Sequence, residues 1–207
     1  MNSFEGRADG NGYRMVAGID EAGRGPLAGP VIAAAVILPP RYEHPEITDS
    51  KKLSPRQRER LYGVIQRDAV SVGIGITEAP EIDILNILQA TLAAMKEAVL
   101  ELSPHPDYLL IDGLNRIHLS IPQETIIRGD SRSISVASAS IVAKVSRDRL
   151  MEMYHRQFPQ YNFLRNKGYG TREHREAILR FGRCKIHRRS FRIAEIDGPP
   201  AAGELEI

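Results

Sequence analysis

Gly18-Ile19-Asp20-Glu21-Ala22-Gly23-Arg24-Gly25 is the stretch on which the reading of this chain turns. Met15, Val16, Ala17 and Ile19 form a short apolar run, so a strand ends at two adjacent carboxylates and the chain then turns. Side chains alternate faces along a strand, and neighbouring acids both reach one site only if the strand bends or ends between them. Two carboxylates so close repel one another, and a divalent cation offsets the repulsion. Gly23 and Gly25 accept positive φ and let a ligand come up to the backbone. Their N–H groups, with Arg24 between them, suit a phosphate or a sugar hydroxyl. Taken alone, two adjacent acids are more often just a strand end closing into a glycine turn, so the rest of the chain has to decide.

After this stretch, Pro30 to Leu38 is almost wholly apolar and reads as a second strand buried on both faces, stopped by Pro39-Pro40. A polar loop carries Asp49-Ser50-Lys51-Lys52. A helix then starts at the N-cap Ser54, with Pro55 in its first position, Gln57 completing a capping box, and Leu61, Val64 and Ile65 as its apolar stripe. The alternation from Val70 to Thr77 predicts a third strand. Leu85, Leu88, Leu92, Met95, Val99 and Leu102 recur at steps of three and four and predict one amphipathic helix over 81–102, ended by Pro104 and Pro106. Tyr108 to Asp112 reads as a fourth strand with an acid at its end and Gly113 in the turn. Gln123 to Ile127 reads as a fifth, followed by Arg128-Gly129-Asp130. A long helix over 133–158 is apolar or small on nearly every side in its first half. Residues 159–170 read as a loop containing Tyr169, and Thr171 caps a short helix that ends near Phe181-Gly182.

The 207 residues, 42% of them apolar, suffice for one domain with a sizeable core. No apolar run approaches the ~20 residues of a membrane span, and the polar start lacks the apolar core of a signal peptide. The expected compartment is the cytoplasm, in keeping with a single cysteine, Cys184, read as a partly buried thiol. Charge is uneven along the chain. Residues 1–127 carry 12 basic and 17 acidic side chains, residues 128–192 carry 16 and 5, and the remainder carries none and 4. The basic block suggests a polyanion such as nucleic acid as partner. The expected organisation is a flexible extension over 1–13, a catalytic domain with a helical appendage over 14–192, and a disordered acidic tail over 193–207.

Three strands thus deliver Asp20 with Glu21, Asp112 and Asp130 at their ends. In an α/β sheet such ends lie side by side, and acids distant in sequence meet in one cleft. Ligands that are all oxygen favour Mg²⁺ or Mn²⁺ over Zn²⁺. Two such ions ~3.5–4 Å apart can activate water and stabilise a leaving oxygen in phosphodiester hydrolysis. No Ser/His/Asp or Cys/His arrangement competes, and His174 reads as a structural or surface residue, not a ligand.

In these residues the sequence resembles prokaryotic ribonuclease HII, the type 2 ribonuclease H family. The resemblance is carried by residues 18–25, by Asp49-Ser50-Lys51-Lys52-Leu53 and by residues 85–91. It continues through Ile111-Asp112-Gly113, Gly129-Asp130, residues 138–148, Lys167-Gly168-Tyr169-Gly170-Thr171 and His187-Arg188-Arg189-Ser190-Phe191, in family order over roughly 14–192. It implies a ribonuclease H-like fold: a mixed five-stranded sheet, its first three strands antiparallel, flanked by helices, with a C-terminal helical appendage. It also implies hydrolysis of the RNA strand of RNA/DNA hybrids and incision 5′ to single ribonucleotides in duplex DNA, leaving 3′-hydroxyl and 5′-phosphate ends. Asp20, Glu21, Asp112 and Asp130 would hold Mn²⁺ or Mg²⁺. Gly23, Arg24 and Gly25 would contact the 2′-hydroxyl and phosphate, and Tyr169 would pack on the adjoining sugar. Lys51 and Lys144 are candidates for phosphate or active-site contacts, and Asn86 and Gln89 for polar contacts to the DNA strand. A monomer is expected. The competing readings are another metal-dependent nuclease of the same fold, such as a junction resolvase or integrase-like core, and a non-catalytic nucleic-acid binding module.

Overall fold

The computed structural model describes residues 3–198. The strand-forming runs become β1 (Val16–Ala22), β2 (Val31–Ile37), β3 (Ser71–Thr77), β4 (Tyr108–Asp112) and β5 (Gln123–Ile126). The helices are α1 (Ser3–Gly10), α2 (Pro55–Asp68), α3 (Ala79–Leu85), α4 (Ile87–Leu100), α5 (Ile134–Gln157), α6 (Phe163–Asn166), α7 (Arg172–Phe181) and α8 (Ala194–Asp197). The sheet order is β3-β2-β1-β4-β5, with β1, β2 and β3 antiparallel neighbours and β1, β4 and β5 parallel. This is the mixed ribonuclease H-like sheet the resemblance implies.

Every residue of β2 is buried because helices cover both faces of the sheet. On one face Ala17, Ile19, Ala33, Ala35 and Ile111 pack against Ala94, Met95 and Ala98 of α4. On the other, Ala34 and Val36 meet Leu61 and Ile65 of α2 and Ile141, Val142 and Val145 of α5. Glycines let the helices come this close. A Cβ on Gly18 would lie 2.1 Å from the Ser135 carbonyl carbon, and one on Gly75 would lie 2.0 Å from the Ala94 oxygen. The capping box at Ser54 and Gln57 forms as read.

Four expectations are corrected. The helix read over 81–102 is two helices, broken at Asn86, whose φ is 67°. Asn86 accepts from the N–H groups of Leu88 and Gln89 and so starts α4 afresh. Leu85 consequently stays 41% exposed, and Ala90, Ala94, Ala98 and Val99 supply the buried stripe. Residues 159–170, read as a loop, contain a 3₁₀ turn over Pro159–Tyr161 and the short α6. The N-terminal segment, read as a flexible extension, contains α1, which docks because Phe4 and Ala8 are buried. Past the basic block, Ile193 is buried in the appendage core with Ala28, Met151, Tyr161, Phe163, Ile178 and Ile186, and α8 follows it. The rest of the acidic tail, 199–207, lies outside the described residues. Among the described residues no helix is long and apolar enough to cross a membrane.

Candidate active site

The parallel register pairs Ile19 with Ile111, so Asp20 of β1 and Asp112 of β4 follow side by side at one edge of the sheet. The chain leaves β5 through Arg128, in the left-handed region at φ 57°, into the 3₁₀ turn Gly129–Ser131, which buries Asp130. The Gly129 N–H donates to Asp112 Oδ1 at 2.6 Å and ties the second and third acidic positions together.

β1 does not end between Asp20 and Glu21 but runs on to Ala22, with Glu21 paired opposite Ala33. Alternation starts the two side chains on opposite faces, yet at this sheet edge their carboxyl groups come within hydrogen-bonding reach of each other. Asp20 turns to α5, where the Ser140 hydroxyl bonds it. Glu21 turns to α4, into a crevice it shares with Arg24, Asp112, Leu88, Thr91 and Asn115. Asp112 is the group both of them feel. Burial, then the charges of Glu21 and Asp112, push the Asp20 carboxyl well above its usual range, against hydrogen bonds from Ser140 and the Glu21 N–H. Burial raises Glu21, Arg24 opposes, and Asp112 raises it further. Burial likewise raises Asp130, reinforced by Asp49 and Asp112 and opposed by Lys51.

Lys51 Nζ lies 3.8 Å from Asp130 Oδ2, and its loop is docked by a 2.9 Å hydrogen bond between Ser50 and Ser140. Among the described residues no three acid, histidine or cysteine side chains already close around an ion. The arrangement is a set of coupled carboxylates that repel one another, with an exposed lysine as partial counter-charge. All-oxygen donors that destabilise each other in this way fit Mg²⁺ or Mn²⁺.

The glycine turn is pinned beside the acids by two buried arginines that sequence reasoning missed. Arg188 donates to the carbonyls of Arg24 at 2.8 Å, Gly23 at 2.5 Å and Gly29 at 2.9 Å. Arg147 donates to those of Pro30 at 3.0 Å, Ala28 at 3.1 Å and Lys167 at 2.9 Å. Composition reads both as surface charge, because the carbonyls that accept from them converge only in the folded loop. Gly23, at φ +101°, leaves room for Arg147, since a Cβ there would lie 2.1 Å from its Nε. Arg24 reaches Glu21 Oε1 at 3.4 Å. The Leu27 N–H donates to the Gly168 carbonyl at 2.8 Å and joins this turn to the Tyr169 loop. Tyr169 is 48% exposed, and its ring stands 3.8 Å from where a Cβ on Gly25 would be.

Three candidates are not brought to the acids. Lys144 is half-buried and pairs with Asp148 at 2.7 Å; burial lowers its pKa, with Asp148 opposing. The Asn86 side chain is occupied as the α4 cap, and Gln89 is exposed at the start of that helix. Thr91, which closes the 85–91 motif but drew no role from it, and Asn115, which lies in no motif, do line the crevice. Cys184 is partly buried, with Sγ 3.1 Å from His187 Nδ1, and His174 is fully buried.

Clustered carboxylates at the ends of adjacent parallel strands, beside a glycine turn pinned by buried arginines, fit a nuclease of the ribonuclease H-like class. The ribonuclease HII family model matches residues 17–194, and the chain belongs to that family. It is 69% identical over 193 residues to a ribonuclease HII of Syntrophus aciditrophicus (strain SB), covering 93% of this chain and 91% of that relative. The fold matches the crystal structure of ribonuclease H2 from Pyrococcus horikoshii OT3 with a TM-score of 0.72 at 24% identity, covering 85% of this chain and 93% of that one. It also matches Bst-RNase HIII in complex with Mn²⁺, with a TM-score of 0.58 at 18% identity, over 80% of this chain and 69% of that one.

Proposed function

We propose that the chain hydrolyses the RNA strand of RNA/DNA hybrids and incises 5′ to single ribonucleotides in duplex DNA, with Asp20, Glu21, Asp112 and Asp130 as its catalytic carboxylates. The observation that carries the site assignment is the crevice that holds Glu21 and Asp112 together with Arg24 of the glycine turn. A reactive centre and a sensor for one sugar are then neighbours.

Divalent ions held by the four acids would supply an activated water and stabilise the leaving 3′ oxygen, so that 3′-hydroxyl and 5′-phosphate ends result. The protein's own part is to read and orient. The 2′-hydroxyl is the one group that separates RNA from DNA at a given residue, and the N–H groups of Gly23 to Gly25 are held rigid to meet it. Tyr169, exposed beside Gly25, packs on the sugar at the junction. Lys51, beside Asp130, meets the phosphate. Mn²⁺ and Mg²⁺ both suit the donor set, and the Mn²⁺ complex of a structural neighbour supports the former. We place the enzyme in the cytoplasm as a monomer, in keeping with its free cysteine; light scattering of the purified chain measures the oligomeric state.

The deciding experiment offers a DNA duplex with one internal ribonucleotide and its all-DNA twin, with Mg²⁺, Mn²⁺ or chelator. Cleavage of the first alone, on the 5′ side of the ribonucleotide and only with metal, is expected. Equal cleavage of both would assign the chain to another ribonuclease H-like activity, and binding without cleavage to a nucleic-acid binding module.

A further inference from the structure

Residues 3–10 precede the stretch that the family model covers, yet they are built into the acid-bearing part of the fold. Glu5 Oε1 accepts from Ser133 Oγ at 2.5 Å and from the Ser135 N–H at 3.1 Å, so a carboxylate from the start of the chain caps the N-terminus of α5. The unpaired N–H groups and positive dipole end of a helix favour a negative group there. Phe4, 8% exposed, packs with Leu110, Ile126 and Val136. The guanidinium of Arg132 lies over its ring at 5.0 Å and that of Arg7 at 4.6 Å, and Arg7 pairs with Glu124 of β5 at 2.8 Å.

These anchors lie around two of the acids, Asp112 and Asp130, and those on Asp130 act on a segment outside the sheet. Arg132 and Ser133 lie just after Asp130 in the chain, Leu110 lies just before Asp112, and Ile126 is the register partner of Asp112. Asp130 itself sits in a 3₁₀ turn outside the strand ladder, the kind of segment that needs side-chain anchors to hold one conformation.

We infer that α1 is a positioning clamp for Asp130, in which Glu5 and Phe4 hold the Gly129–Ser135 segment against the sheet before any cation arrives. The inference rests on Asp130 being one of the metal-holding carboxylates. Glu5 and Phe4 touch neither substrate nor reacting atoms. They act by removing freedom that Asp130 would otherwise lose on binding an ion, so their contribution lies in affinity for the ion and not in the chemical step.

The test uses the full chain with Glu5→Ala, Glu5→Gln and Asp130→Asn. Amide hydrogen exchange is measured on metal-free protein, Mn²⁺ binding by calorimetry without substrate, and kcat and KM at saturating Mn²⁺. Glu5→Ala should speed exchange at residues 129–135 selectively and weaken Mn²⁺ binding about fivefold, the factor that loss of an ordinary helix cap allows. Its kcat and KM at saturating Mn²⁺ should stay within about twofold of wild type, because the ion then enforces the same geometry. Glu5→Gln keeps an acceptor and should fall between wild type and Glu5→Ala. Should Glu5→Ala fail to fold, Phe4→Leu carries the same readouts in the same direction. Unchanged Mn²⁺ affinity, or faster exchange spread evenly over the chain, overturns the clamp. The assignment of Asp130 fails separately, if Asp130→Asn binds Mn²⁺ like wild type. In the Asp130→Asn background Glu5→Ala should have no further effect on Mn²⁺ binding.

Discussion

A buried arginine that donates to carbonyls, not to a carboxylate, keeps its charge at a cost, and Arg188 is such a residue. Burial, then the charge of Arg147, lowers its guanidinium to about 9, with Asp83 opposing. Arg188→Ala would strip the donor from two carbonyls of the glycine turn and from that of Gly29, and should destabilise the fold by about 3 kcal/mol or more. Lysine lacks the planar fork, so Arg188→Lys should still cost about 2 kcal/mol. Urea unfolding measures both, and a lysine variant as stable as wild type would remove the role assigned here. The acids behave oppositely, because the fold holds them against their own repulsion. Asp20→Asn and Asp112→Asn should each abolish cleavage and leave the protein folded. Asp20→Asn keeps an acceptor for Ser140 and the Glu21 N–H while removing charge, so it should raise the melting temperature of the metal-free protein by about 2–4 °C, the effect of ~1 kcal/mol in a chain of this size. Normal turnover, or a lower metal-free melting temperature, counts against the cluster.

Among the elements, the pair α3 and α4 shows why the break at Asn86 exists. α3 aims Asp83 at the N–H groups of Arg189 and Ser190 and at the Ser190 hydroxyl, stapling the segment that carries Arg188. α4 lays its alanines on the sheet, and one continuous helix could not do both. The Tyr169 loop is held by a second device. Its carbonyl can only accept, so His174 Nδ1 donates to it at 2.8 Å and Nε2 accepts. His187 Nε2 must then donate to His174 at 3.0 Å, leaving His187 Nδ1 to accept from the Cys184 N–H at 2.9 Å. Every ring in this relay is neutral. Burial, then His174, pushes His187 down to about 4, and burial lowers His174. Between the ordinary histidine value of about 6.5 and this depressed one, the unfolded chain takes up a proton that the folded chain refuses. The relay's stabilisation is thus fully present above about pH 6.5 and lost as pH falls toward 4. Over pH 7 to 4.5 the melting temperature of wild type should drop relative to that of His187→Gln, the acidic cluster contributing equally to both. Equal slopes would exclude the relay.

At the scale of the whole molecule, the basic block from 128 to 192 divides between scaffold and surface. Arg147 and Arg188 are buried in loop contacts and Arg183 pairs with Asp197 at 2.6 Å. Arg165, Arg180, Lys185 and Arg189 remain exposed in the appendage. Exposed cations that hold phosphates release counterions, so binding to a hybrid duplex should weaken about 10- to 100-fold between roughly 50 and 200 mM salt if about three phosphates are held. Arg180→Glu should flatten that dependence, and fluorescence anisotropy across the salt range checks it. An unchanged slope would place the duplex elsewhere.

What the sequence determined by itself was local: the five strands, the Ser54–Gln57 capping box, the long α5 and the acids of β1, β4 and the turn after β5. Alternation, helical spacing and cap chemistry are each written within a few neighbouring residues. Only the tertiary structure decided that Asp20, Glu21 and Asp112 come within reach of one another, that Lys144 turns to Asp148, that α1 docks, and that two arginines are buried beside the glycine turn. The reason is common to all four. Where a polar or charged side chain settles depends on the partners and the burial it finds in the fold, and these come from stretches far along the chain that no local pattern encodes.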